Sequence, residues 1–355
     1  MATLRGFDRK FYFSYIHAQG TWGTLEADAN LYPFRVNSDP LTLTPENVDD
    51  TDEVGGAEEA QSQQMLSLDV SGSIGQNKTV PTFLASMLAY GLGASTDSTV
   101  DTSAGRHVIT PYTTDYSVST FSGLDVFTTS YYRAYHNLAV NSFELSTSRK
   151  GWLQTTAQLV GSGKTATTGV TVGSLGAAPT MGPALKAGDC KVFISVDGGT
   201  TLPATYGQGT EDLPGSASDI SAKIRGFRWQ YNNNLITDAA YEPGSGLYRA
   251  RAERDRRAQT LSFDIEFEDL TYLGYVLGEN VVALEFDFTS STLAGAATIY
   301  YGAQILFPKT VVQVAPVTGG VGTLMVTCQA KVMNDGTNPT VQATVWDLNT
   351  TGLLQ

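Results

Sequence analysis

Alternation of apolar and polar positions is the dominant signal along this chain. Residues 261–268 (LSFDIEFE) place Leu261, Phe263, Ile265 and Phe267 on one side of an extended backbone, and Ser262, Asp264, Glu266 and Glu268 on the other. Residues 66–74 repeat the pattern, with Leu66, Leu68, Val70 and Ile74 against Ser67, Asp69, Ser71 and Ser73. Strands are also predicted over 142–147, 152–159, 323–332 and 340–347, which alternate or are rich in β-formers. In 323–332 the polar row Thr323, Thr327, Gln329 and Lys331 is interrupted by Met325. One clear helix breaks the run, over 79–90. Thr79 is expected to cap it and Pro81 sits in its first turn, where a missing N–H costs nothing. Phe83, Leu84, Met87 and Leu88 form its apolar face, and Gly91 and Gly93 stop it.

The order of these elements occurs twice. Leu66-Ser67-Leu68-Asp69-Val70 matches Leu261-Ser262-Phe263-Asp264-Ile265, and Thr82 to Leu88 matches Thr271 to Leu277 a few residues later. A strand and a long polar loop precede each copy (33–41 then 42–61; 222–232 then 233–255), and a strand pair follows each (138–147 and 152–160; 299–307 and 322–332). Three elements in the same order indicate a duplication. The expected domains are 1–165 and 189–355, joined by the Gly/Ala/Thr-rich stretch 166–188.

Several short motifs suggest chemistry and then lose it in context. Asp69, Ser71 and Ser73 spell D-x-S-x-S, a divalent-metal adhesion signature, but that site needs a loop at the end of a parallel strand in an alternating β/α fold. Here the three residues form the polar side of a strand. VGSGKTATT at 160–168 lacks the glycine five positions before Gly163 that a phosphate loop requires, since Gln158 stands there. His17, His107 and His136 have no metal-ligand spacing, and the row Asp264, Glu266, Glu268 implies no cleft for paired acid–base catalysis. Cys190 and Cys328 are far apart and read as isolated thiols. No enzyme, metal or cofactor is expected.

Composition narrows the class further. The chain has 355 residues with 41% hydrophobic, 10% aromatic and only 16% charged positions, and 36 glycines, a mixture suited to short strands and turns. Its net charge of −13 disfavours adhesion to a phosphate backbone. No signal peptide and no membrane-length apolar stretch is apparent. A structural or binding module is left.

The series PFRVNSDPL, MLSLDVSGSI, PTFLASMLAYGLGA and, above all, NSFELSTSRKGWLQTTAQLVGSG at 141–163 resembles the tail tube proteins of long-tailed bacteriophages. IRGFRWQYNNNL, RRAQTLSFDIEFEDLTYLGYVLG and ILFPKTV with GTLMVTCQAKV extend the likeness through the second half, so it covers most of residues 30–350. The resemblance implies a mainly β protein of two tandem tail-tube-like sandwich or barrel domains, each with one short helix, whose inner sheets close a multi-subunit β-barrel. It implies rings stacked into a tube, a tape measure protein in the lumen, and tail tip or baseplate and terminator proteins at the ends. Viral DNA would be ejected through this negatively charged conduit without specific binding, and the protein would be made in the host cytoplasm and reside in the virion.

Asp69, Ser71, Ser73, Asp264, Glu266 and Glu268 are then candidates for the lumen lining. Two loops of opposite charge are candidates for contacts between subunits or rings. One carries Glu46, Asp49, Asp50, Asp52, Glu53, Glu58 and Glu59; the other carries Arg249, Arg251, Arg254, Arg256 and Arg257, diluted by Glu253 and Asp255. A trimer of two-domain chains is preferred over a hexamer. The alternatives are another virion β-protein, such as a capsid decoration or baseplate component, and a carbohydrate-binding adhesin using Trp22, Trp152, Trp229 and Trp346.

Overall fold

The computed structural model describes residues 9–37, 41–49, 63–101, 103–112, 116–196, 207–209, 212–213, 217–268, 270–295, 298–319, 323–334 and 336–354. It is mainly β, with two α-helices among the described residues. The first half holds β1 (Lys10–Phe13), β2 (Tyr32–Phe34), β3 (Thr42–Asp49), β4 (Gln63–Gln76), α1 (Pro81–Leu92), β5 (Gly93–Val100), β6 (Ala104–Pro111), β7 (Phe121–Thr128), β8 (Tyr131–Ser148), β9 (Gln154–Gly161) and β10 (Thr165–Ala166). The second holds β11 (Cys190–Ser195), β12 (Ser218–Asp219), β13 (Ile224–Asn232), β14 (Ala258–Glu266), α2 (Thr271–Leu277), β15 (Val281–Leu293), β16 (Tyr300–Val314), β17 (Val317–Thr318), β18 (Met325–Val332) and β19 (Gln342–Asp347).

The two halves share one pairing scheme, antiparallel throughout. In the first, β2 pairs β1, β1 pairs β7, and β7 pairs the start of β8. The end of β8 pairs β9, β9 pairs β4, and β4 pairs β3. In the second, β12–β11–β15 leads to the start of β16, and the end of β16 leads through β18 and β14 to β13. The small strand β10 lies beside the start of β8 as β19 lies beside the start of β16. Each long strand thus passes from an outer sheet into an inner one, a way of turning a corner in a sandwich. The first half adds the β5–β6 hairpin.

Two seams join the halves. β13 lies along the end of β8 in register Gly226↔Ser148 to Asn232↔Ser142, so one sheet runs β3–β4–β9–β8–β13–β14–β18–β16. On the outer side β19 pairs β6, Ala343↔Ile109 to Asp347↔Gly105. The stretch 166–188 is tied back to the first half by Leu185 N–H to Thr79 O (2.9 Å) and Gly176 N–H to Leu31 O (2.9 Å).

The core crosses the first seam. Phe143 of β8 meets Trp229 edge-on at 5.0 Å and stacks on Tyr231 at 5.3 Å, and Trp229 meets Phe307 of β16 at 5.3 Å. α1 is buried at all twelve positions, not along one face, because strands of both halves surround it. Its start also differs from expectation. Thr79 makes no cap; Gln76 Oε1 accepts the Val80 N–H instead (3.0 Å), and Pro81 begins the helix. Gly91 stays inside the helix, where a Cβ would lie 2.6 Å from the Phe143 ring, and Gly93 at φ 102° ends it. The stretch read as a loop from residue 42 begins as strand: Thr42–Asp49 forms a hairpin with β4. Pro45 is tolerated there because β3 is an edge.

A charged staple holds the second seam. His107 of β6 is buried, with Nδ1 2.6 Å from Asp97 Oδ1 and Nε2 3.2 Å from Asp347 Oδ1 of β19. Burial opposes its charge, but the hydrogen bonds to Asp347 and Asp97 and their negative charges outweigh that and push the imidazole up to about 9. On the outer face of the second half, burial pushes Glu285 up to about 8 and Asp287 up to about 6.

These groups all bind protons more tightly folded than unfolded, so stability falls as pH rises. The His107 share is complete below its ordinary 6.5 and is lost as pH passes through about 9. Denaturant titrations should show the wild type losing roughly 2–3 kcal/mol from this site across that window. His107→Gln should flatten the upper part of the profile, and an unchanged slope in that variant would show that the staple carries no proton linkage.

Candidate assembly surfaces

The inner sheet has one apolar face and one polar face, and cross-strand register sets them. Leu261, Phe263 and Ile265 of β14 and Val326, Cys328 and Ala330 of β18 are buried. Opposite them, Ser146, Arg228, Ser262 and Gln329 form one row, and Gly226, Asp264 and Thr327 the next. Ser73, Gln158 and Ser142 continue the polar surface across the first half. Ser71 and Ser73 therefore share a face with Asp264 and Glu266, as the alternation predicts.

The acids on this face do not stand alone. Arg228 pairs Glu144 at 2.7 Å, Arg225 contacts Glu266, Lys223 pairs Glu268 at 2.5 Å, and Asp264 accepts the Thr327 hydroxyl (2.7 Å). Periodicity found the carboxylates but not these bases, which come from β13 and its approach, strands away in sequence. The face is a mosaic of ion pairs and hydroxyls, with less negative potential than the acids alone suggest. Asp69 departs from the row altogether. Its Oδ1 is held by Arg249 and by the Tyr241 hydroxyl (2.6 Å) from the long loop of the second half.

That loop, 233–257, lies over the first half as an arm. Asn233 donates to Gly91 O (2.8 Å) at the end of α1 and to Val140 O (2.9 Å) on β8. Leu68 N–H donates to Leu247 O, Arg249 N–H to Ser162 O (each 2.9 Å), and Val118 N–H to Ala252 O (3.2 Å). Arg249 is buried and also donates to Gly161 O (2.6 Å), while its own carbonyl accepts the Trp22 indole N–H (2.7 Å). Arg251 pairs Glu242 and Glu253 within the arm; Arg254 lies over the Tyr116 ring. Arg256 and Arg257 lead into β14, and burial lowers the Arg257 pKa. Glu46 accepts the Ser67 hydroxyl (2.8 Å), and Asp49 ends β3. Asp50, Asp52, Glu53, Glu58 and Glu59 lie outside the described residues. Asn233 and Tyr241, which anchor the arm, carried no sequence signal beyond the turn-prone run Asn232-Asn233-Asn234.

Both ends of the inner sheet are edges among the described residues. At one, β3 pairs only β4. Because Leu68 N–H points away from β3, Pro45 opposite it turns its nitrogen outward, so a strand added there finds no donor at Pro45. At the other, β15 leaves β16 at Val311, while β18 continues along β16 and then β17. That side of β16 and β17 occupies the position at which β8 receives β13. Of the four tryptophans, Trp229 and Trp346 are core residues, and Trp152 sits under Lys78 at 5.1 Å.

Removing the guanidinium of Arg249 should release the arm. Arg249→Ala is expected to cost roughly 2–4 kcal/mol, because buried carbonyls and Asp69 lose their donor, whereas Asp69→Asn, at a half-exposed carboxylate, should cost about 1. Chemical denaturation with limited proteolysis of 233–257 measures both, and equal costs would argue against Arg249 as the anchor.

No helix among the described residues is long and apolar enough to cross a membrane. A search of curated proteins finds no match. A family model described as phage tail tube protein matches residues 13–345, nearly the whole chain. With that coverage on a mainly β fold, the chain belongs to the phage tail tube protein family, structural proteins of the virion tail.

Proposed function

We propose that three copies of this chain close a ring and that stacked rings form the conduit through which the genome leaves the virion. The observation that carries this reading is the β8–β13 seam. It joins two four-stranded inner sheets of the same pairing scheme, β3–β4–β9–β8 and β13–β14–β18–β16. The same step repeated outward puts β3 of the next copy on the free side of β16 and β17. Three chains then supply six sheets, and closure removes both edges. The halves correspond to domains 1–165 and 189–355 joined through 166–188.

In the closed ring the polar face lines the lumen, with Ser71, Ser73, Asp264 and Glu266 in the lining and Glu268 near its rim. The mosaic of satisfied ion pairs gives DNA phosphates few unpaired cations to hold them, which suits passage without specific binding. Asp69 serves the seam instead of the lumen. A tape measure protein fills this channel before ejection, and tail tip or baseplate and terminator proteins cap the stack.

The arm charges fit the same repetition. Within the chain, the arm carries Arg249 to Asp69 on β4. Between copies, the acidic stretch from Glu46 to Glu59 takes the arm's role, and Arg256 and Arg257, at the start of β14, take the receiving one. Opposite charge on the two kinds of seam sets which half follows which.

Negative-stain microscopy of purified protein with rotational averaging is the direct test. Three-fold rings or hollow tubes are expected; six-fold rings of this chain would replace the tandem-domain trimer with a hexamer. Arg256→Glu with Arg257→Glu should lower tube yield at least tenfold with the monomer fold intact by circular dichroism. Unchanged yield would remove the charge-pairing part of the reading.

A further inference from the structure

The two helices hold equivalent places in the repeated scheme, each following the β4-type strand, yet their surroundings differ. α1 is buried at every position. α2 packs Tyr272, Tyr275 and Val276 inward against the core but leaves Leu270 64%, Leu273 38% and Leu277 78% exposed. A seven-residue helix with that much apolar surface in water is marginal by itself.

The chain itself shows what covers such a helix. α1 is enclosed partly by β16 and β19 of the second half, and Asn233, where the second-half chain leaves β13, binds the Gly91 carbonyl in its last turn. The half that docks on the β8 edge is the half that covers the helix. Around a ring, the half that docks on the β16–β17 edge is the first half of the next copy. Beyond Pro45 its β3 continues in the β3–β4 hairpin, whose described part exposes Val48 (45%), Met65 (43%) and Leu66 (52%). An unpartnered apolar helix face and an unpartnered apolar hairpin therefore stand at the two ends of one sheet, at the positions that meet when copies join head to tail.

We infer that the exposed face of α2 (Leu270, Leu273, Leu277) is the seat for the β3–β4 hairpin of a second copy of this chain. The seat rests on the ring reading and adds to strand pairing the apolar burial that a two-stranded junction alone lacks. It also accounts for the difference between the helices, since α1 finds its cover within the chain and α2 finds its cover only on assembly.

Two variant sets test the inference in the full chain. Leu273→Asp with Leu277→Asp touches exposed positions and should leave the monomer's thermal unfolding unchanged while reducing ring and tube yield by sedimentation at least tenfold. A mixture of Leu277→Cys and Leu66→Cys chains should give dimers with a short bis-maleimide in assembled tubes and none in dilute monomer. Wild-type-like tubes from the double Asp variant, or tubes without that cross-link, would overturn the α2 seat while leaving the ring standing. Wild-type protein that forms no ring or tube, even with isolated tail tips as initiators, would overturn both.

Discussion

Backbone N–H and C=O groups on a sheet edge must find partners, and that requirement organises this molecule. β8 shows how it is met inside the chain. Its start belongs to the outer sheet beside β7, its end belongs to the inner sheet beside β9, and its last free side is taken by β13 from the other half. β16 repeats the first two of these roles and lacks the third. Among the described residues, one chain thus contains one completed junction and two open sheet edges. In the proposed ring, these edges are closed by further copies of the chain.

Closure by repetition demands a fixed angle at each junction, because error accumulates around a ring. The two halves are joined at two separate places, which suits the proposed ring. The inner seam is held by strand pairing and by Phe143, Trp229, Tyr231 and Phe307, whose rings interlock across it. The outer seam is held by β19 on β6 and by His107 between Asp97 and Asp347. A single strand pair could hinge; two attachments on opposite sides of a shared core cannot, short of breaking the core. The buried ion triad is costly to desolvate, and its return is a defined register between β6 and β19.

Much of this was legible in the alternation. The strands at 142–147, 261–268, 323–332 and 340–347, the helix after Thr79 and the second, weaker helix all follow from local pattern. The repeated order of elements was also visible, but its most obvious match misleads in register. Leu66 is exposed and Leu68 half-buried, while their apparent counterparts Leu261 and Phe263 are buried; Val70 and Ile74 fill the core positions of β4. The reason is that β4 runs on past the core into its hairpin with β3, so the five-residue likeness falls on the projecting part of one strand and the buried part of the other. Asp69 escaped the lumen reading for the same reason: its surroundings are set by Arg249 and Tyr241, more than 170 positions away. The bases Arg225 and Arg228, which offset the acids of the inner face, became visible only once register placed β13 beside β8 and β14. Pattern gives faces, and register gives neighbours.

Two halves of one pairing scheme in one chain would have a physical use in the proposed ring. In a ring of identical subunits every seam is the same, and any subunit can pair wrongly with any other through like surfaces. Here the two halves differ, so that alternate seams of the proposed ring would differ. The seam within the chain is closed at the high effective concentration of a tether and sets Arg249 of the arm on Asp69 of β4. In the proposed ring, the seam between copies would bring together the acidic sequence 46–59 and the exposed face of α2. In the proposed ring, two of these acidic stretches would repel, so a first half meeting another first half would gain nothing, whereas a first half meeting a second half would gain strand pairs, apolar contact and opposite charge together. The difference between the halves would then favour head-to-tail order, and a chain whose halves were alike would lose that direction.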